Sequence, residues 1–124
     1  MPRHLISSAY LVLALALAAT PAGAQPSAPT EPVLGQKGKD VQWVPSPAPL
    51  VEKMLDMAQV TPKDFVVDLG SGDGVLVIAA ARRGVRAMGI EYDGNLVDVS
   101  RRNAREAGVE RLTRFVKGDI FKKD

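Results

Sequence analysis

Apolar residues at Val51, Met54, Leu55 and Ala58 fall at i, i+3, i+4 and i+7, the stripe of an amphipathic helix. Ser46, Pro47 and Pro49 stand where a cap and first turn tolerate them, because the first helical N–H groups lack partners anyway. After a turn at Thr61-Pro62-Lys63-Asp64 the pattern changes to a short apolar run, Phe65 to Leu69, rich in β-branched residues. Such a run predicts a strand buried on both faces. "VLVIAAARR", Val75 to Arg83, predicts a second helix with Gly84 as its left-handed terminator. Val85 to Ile90 predicts a second strand. Asp93 caps a third helix from about Asn95 to Ala107, closed by Gly108, and Leu112 to Val116 predicts a third strand that leads to Gly118-Asp119-Ile120. Helix, strand, helix, strand, helix, strand at this spacing implies βαβ units, a parallel sheet and right-handed crossovers, a Rossmann-like α/β fold.

The chain before residue 41 is of another kind. Met1 to Ala24 has a weakly basic start, the apolar stretch Tyr10 to Ala19, and small residues ending in Ala22-Gly23-Ala24. This is the three-part layout of a secretory signal peptide. A spanning helix needs about 20 apolar residues, and Ser7, Ser8 and Thr20 interrupt this stretch first. No stable membrane span is therefore expected after cleavage, and the localisation implied is exported or periplasmic. Between Pro21 and Pro49 lie seven of the nine prolines, and residues 25–40 read as a tether that cannot bury enough apolar surface to offset its ordering entropy. The domain is thus expected over residues 41–124.

Charge and cysteine content narrow the classes. The chain has 16 basic and 14 acidic residues; cleavage after Ala24 removes Arg3 and leaves 15 against 14, a net +1. That balance carries no electrostatic footprint for nucleic acid or a membrane surface. The run "RRNARE", Arg101 to Glu106, reads as a solvated helix face with an Arg102–Glu106 pair. There is no cysteine, which excludes disulfides and thiolate metal sites, and no metal is expected.

The chemistry concentrates in "VVDLGSGDG", Val66 to Gly74. In a parallel α/β sheet, ligands bind at the carboxyl ends of the strands, and this loop lies at such an end. Its glycines let the chain turn sharply and let a ligand approach the backbone where a Cβ would forbid it, so bare N–H groups are expected there. Gly70, Gly72 and Gly74 follow G-x-G-x-G, not the dinucleotide fingerprint G-x-G-x-x-G. Asp73 inside the loop and Asp68 before it also disfavour a pyrophosphate on the helix N-terminus. Glu91 stands about 20 residues on, where a carboxylate can accept from ribose hydroxyls, and Asp119 closes the third strand in the equivalent position. Asp68, Asp73, Glu91 and Asp119 gather on one sheet edge, which suits a cationic ligand carrying a nucleoside. Each has a structural reading too: Asp68 as a partner for backbone N–H groups, Asp73 and Asp93 as caps, Glu91 as a purely structural carboxylate, Asp119 as the turn residue at Gly118.

These residues resemble the class I methyltransferases that use S-adenosylmethionine. "VVDLGSGDG" looks like the family's first motif, "GIEYD" (Gly89 to Asp93) like its second-strand acidic motif, and "KGDIF" (Lys117 to Phe121) like its third. "WVPSP" (Trp43 to Pro47) with "DLGSGDG" resembles the small protein-lysine methyltransferases related to the one acting on the c subunit of ATP synthase. The resemblance implies that Asp68 holds the amino group of the methionine part, directly or through water. It implies that Gly70, Ser71, Gly72 and Gly74 line methionine and ribose with backbone. Glu91 would take the ribose hydroxyls, Tyr92 would border the adenine, and Asp119 with Ile120 would fix the adenine amino group and face.

The family's sheet has seven strands, and its acceptor-side residues follow the fourth. Three strands are expected here, so the chain reads as the cofactor-binding half of a methyltransferase, a fragment. Its acceptor is unidentified, with protein lysine as the candidate and no catalytic residue to name. The methyl donor is cytosolic while residues 1–24 argue for export, which leaves room for an exported, non-catalytic Rossmann-like binding module. An NAD-dependent oxidoreductase is the further alternative, and it requires the glycine spacing that this loop lacks.

Overall fold

The structure, a computed structural model, describes residues 27–28, 30–32 and 43–122. The signal-peptide segment lies outside them, as does most of the tether. Among the described residues no helix is long and apolar enough to cross a membrane.

Helix α1 (Ala48–Met57) leads to strand β1 (Phe65–Leu69), α2 (Val75–Arg82), β2 (Arg86–Glu91), α3 (Gly94–Glu106), a single 3-10 turn (Glu110–Leu112) and β3 (Thr113–Lys117). The three strands form one parallel sheet in the order β1-β2-β3, with Asp68 opposite Gly89 and Gly89 opposite Phe115. Pro47 is the N-cap of α1, and Ser46 makes no cap bond there. The other boundaries agree with the hydrophobic pattern to within a residue or two. Each helix ends in one motif: the N–H groups of Val60, Val85 and Val109 return to the carbonyls of Leu55, Ala80 and Ala104. At the first of these ends the left-handed residue is Gln59, with φ 51°.

The core forms where α2 and α3 cover one face of the sheet and α1 packs against α2. Val51, Leu55, Val77, Ala80, Val85, Ala87, Val97, Ala104 and Phe115 are buried in one cluster. Arg83 ties α2 to α1 by ion pairs with Glu52 and with Asp56 at 2.8 Å, exposed contacts that contribute little to stability.

β1 departs from expectation. Phe65, Val67 and Leu69 are 55%, 46% and 60% exposed, so the strand is covered on one face only. Both crossovers run in the same direction, which puts α2 and α3 on the same side. The other side presents Phe65, Val67 and Leu69 in register with Arg86, Met88 and Ile90. Periodicity marks a strand as apolar on both faces; it does not supply what covers the second.

Candidate functional site

The glycine loop is fixed by the strand beside it. The N–H groups of Gly70 and Ser71 both donate to the Ile90 carbonyl, at 2.8 and 3.0 Å, and Gly74 N–H donates to the Ser71 carbonyl at 2.8 Å. Gly70, Gly72 and Gly74 have φ of 84°, 55° and 84°, a region that a Cβ disfavours. At Gly74 the space is closed as well, because an added Cβ would stand 2.8 Å from Phe115 Cε1 and 3.0 Å from Ser100 Cβ.

Glu91 bridges the two loops. Its Oε2 accepts the Gly72 N–H and its Oε1 the Asp93 N–H, each at 2.9 Å. This corrects the expectation of bare N–H groups: those of Gly70, Ser71, Gly72 and Gly74 are all satisfied within the protein. What the loop offers a ligand is shape, its carbonyls, and a fixed carboxylate whose oxygens each retain acceptor capacity.

Asp68 is half-buried at the end of β1. Burial pushes its carboxyl above the ordinary value of 3.8, and the negative charge of Glu91 adds to the rise. A cation beside the pair would remove the second cost and offset the first. The sign for folding follows: a carboxyl raised in the folded state favours folding below its ordinary range and loses that contribution as pH rises through the folded value. For binding a cation the sign is opposite, since the ligand needs the ionised form. Affinity for a cationic ligand is therefore expected to fall on acidification, beginning above the usual aspartate range. Titration calorimetry across pH on wild type and Asp68→Asn checks this; an unchanged acid limb in the variant would contradict it.

The remaining positions divide. Asp93 caps α3 by accepting the Asn95 N–H at 2.9 Å. Asp73 accepts the Val75 N–H at 3.3 Å as α2 begins. Asp119 accepts the Phe121 N–H at 3.0 Å, with Lys122 Nζ 3.6 Å from its other oxygen, so it orders its own turn. Tyr92 and Ile120 are exposed near the ends of β2 and β3, free to border a ligand. Ser71 is buried beside Gly89 and Phe115, its hydroxyl without a partner among the described residues.

Two residues that the motifs do not mark hold the loop from below. The Ser100 hydroxyl, fully buried on α3, lies 2.8 Å from the Gly72 carbonyl and 2.9 Å from that of Leu96, sharing its proton between them. Asn103 Nδ2 donates to the Asp73 carbonyl at 3.1 Å. The available signal was weak: polar residues beside the apolar stripe of Leu96, Val97, Val99 and Ala104.

Comparison with known proteins agrees with this arrangement. The profile of the ANTKMT methyltransferase domain family matches residues 68–124. A protein-lysine N-methyltransferase of Saccharolobus islandicus is 36% identical over 86 residues, 68% of this chain and 53% of that protein. A lysine N-methyltransferase of Xenopus laevis, named for the c subunit of ATP synthase, is 42% identical over 80 residues, 64% of this chain and 35% of that protein. Among solved structures, an RNA methyltransferase from Salinibacter ruber in complex with S-adenosyl-L-homocysteine superposes with a TM-score of 0.62 at 51% identity, covering 65% of this chain and 54% of that one. These matches support a class I S-adenosylmethionine-dependent methyltransferase. In methyltransferase terms the three matched motifs are the loop after β1, the end of β2 and the end of β3. The chain spans between a third and about half the length of the relatives just named.

Proposed function

We propose that the protein transfers a methyl group from S-adenosylmethionine to a protein lysine, and that this chain is the cofactor-binding half of the domain that does so. The observation that carries the reading is the Glu91 carboxylate, anchored to Gly72 and Asp93 at the strand ends beside the half-buried Asp68. A turn built from left-handed glycines with two carboxylates next to it fits a cationic nucleoside and disfavours a pyrophosphate.

When bound, the cofactor supplies a methyl group already activated on a sulfonium. The residues therefore need to hold and orient rather than to activate. Asp68 would meet the cationic amino end, Glu91 the ribose hydroxyls, and the backbone of Gly70 to Gly74 the body between them; Tyr92, Asp119 and Ile120 would border the adenine. A lysine acceptor must arrive neutral, with a nearby carbonyl or carboxylate to collect its proton. Among the described residues the apolar face of β1 is uncovered and its outer edge unpaired, which supports the half-domain reading, because a folded domain rarely leaves so much contiguous apolar sheet bare.

Lysine as the acceptor rests on the names of the curated relatives. RNA is the second reading, against the expectation from net charge, favoured by the Salinibacter ruber structure and by the groove between α3 and β3, where Arg101, Arg105 and Arg114 stand against one carboxylate, Glu110. Incubating the full protein with radiolabelled S-adenosylmethionine and either lysine-containing proteins or RNA separates these. Label on lysine is the expected result, label on RNA selects the second reading, and cofactor binding without transfer to either selects a non-catalytic module.

A further inference from the structure

Trp43 is the sole tryptophan of the chain, and the structure seats it on the glycine loop. A Cβ built on Gly72 would stand 2.6 Å from Trp43 Nε1 and 2.9 Å from its Cδ1, with Cε2 at 3.9 Å. The indole thus meets the loop by its pyrrole edge, in space left open because residue 72 has no side chain, and its six-membered ring extends away. Gly72 is the residue whose N–H Glu91 accepts, so the ring stands at the acidic end of the sheet.

Backbone stiffness holds it in that position. Trp43 precedes α1 by a stretch with prolines at 45 and 47, and Pro49 follows in the first turn of the helix, all with locked φ angles; Pro47, the N-cap, has φ −58° and ψ 137°. α1 is in turn held to the core by Val51 and Leu55. A stiff arm from a packed helix carries one large aromatic ring to one glycine. Cap chemistry does not need it, and the indole is only half-buried.

We propose that Trp43 is a cofactor-binding residue whose ring faces the sulfonium of S-adenosylmethionine and stabilises its positive charge against the π-face. This deepens the methyltransferase reading and rests on it. An aromatic face attracts a cation, indole most strongly, but has no such attraction for a neutral thioether. The methylated cofactor and its demethylated product, S-adenosylhomocysteine, differ at that atom in charge. Trp43 therefore favours cofactor over product, which helps the spent molecule to leave.

The test is titration calorimetry of the full protein with S-adenosylmethionine and, separately, S-adenosylhomocysteine. It is run on wild type, Trp43→Phe and Trp43→Leu, with tryptophan emission followed in parallel and the share of Trp43 taken as the difference between wild type and Trp43→Phe. In Trp43→Leu, affinity for S-adenosylmethionine is expected to fall about tenfold more than affinity for S-adenosylhomocysteine. Trp43→Phe should keep most of the difference, and wild-type emission should change on adding S-adenosylmethionine. Equal losses for both ligands, or no loss, overturn the proposal and leave Trp43 a plain wall. Should Trp43→Leu fail to fold, Trp43→Met, which also lacks a ring, carries the same expected result and the same overturning one. Wild type that binds neither ligand overturns the methyltransferase reading and this proposal together.

Discussion

Replacing Glu91 by alanine in the full protein is expected to weaken binding of S-adenosylhomocysteine by about a hundredfold. Two hydrogen bonds from ribose hydroxyls to a carboxylate contribute roughly 1.5 to 3 kcal/mol each, and each 1.4 kcal/mol is about a factor of ten. The change also leaves two backbone donors, Gly72 N–H and Asp93 N–H, without the oxygens they now meet at 2.9 Å. Part of the loss is therefore positional: the loop after β1 and the start of α3 are no longer tied to one another. Glu91→Gln tests the need for the second oxygen with the side chain's size kept. An amide has one oxygen where the carboxylate has two and must turn a donor toward one of the two N–H groups, so it should lose nearly as much affinity at almost unchanged size. Calorimetry with S-adenosylhomocysteine on both variants checks this. Binding within about threefold of wild type would show that Glu91 is a structural bridge alone.

Gly74→Val is expected to destabilise the protein by about 3 to 5 kcal/mol, a large share of what holds an ordinary domain folded. Two costs add. A β-branched residue at φ 84° is strained by roughly 1 to 3 kcal/mol, and its Cβ would press on Phe115 and Ser100 at 2.8 to 3.0 Å. Neither neighbour can retreat, because Phe115 is in the core and Ser100 is fully buried, and overpacking costs roughly another 1 to 3 kcal/mol. Gly108→Ala is the internal control. Its φ is 70°, yet nothing lies within 4 Å of the added Cβ, so only the backbone cost remains, about 1 to 2 kcal/mol. Denaturant unfolding of the two variants should give a clear gap; equal destabilisation would mean that the contact with Phe115 and Ser100 does not matter.

The elements were legible because each carries a local signal. The stripe of Val51 and Leu55, the β-branched run before Leu69, and the glycines after α2 and α3 each fix a boundary without knowledge of the rest. The loop at Gly70 to Gly74 was legible for the same reason, since its left-handed turns demand glycine. What the sequence did not show depends on partners far along the chain. Glu91 occupies the Gly72 N–H across 19 residues, Ser100 supports the Gly72 carbonyl across 28, and no spacing rule announces either. The open face of β1 was misread because "FVVDL" is apolar at both faces, whereas coverage is decided by the side on which the crossovers run.

A similar limit applies to the segment before Trp43. Its composition signals a tether, yet Thr30 exchanges two hydrogen bonds with the Asn95 side chain, at 2.9 and 2.7 Å. Glu31 also pairs with Arg102 at 2.7 Å. Short polar contacts of this kind have no periodicity to betray them. They bring the segment to the start of α3, close to the Glu91 end of the site.

The most direct test of the central claim is a binding titration of the full wild-type protein with S-adenosylhomocysteine, with NADH in parallel. The account predicts saturable one-to-one binding of S-adenosylhomocysteine and none of NADH, because the loop carries two carboxylates and lacks the spacing that a pyrophosphate needs. Binding of NADH, or of neither molecule, would contradict it.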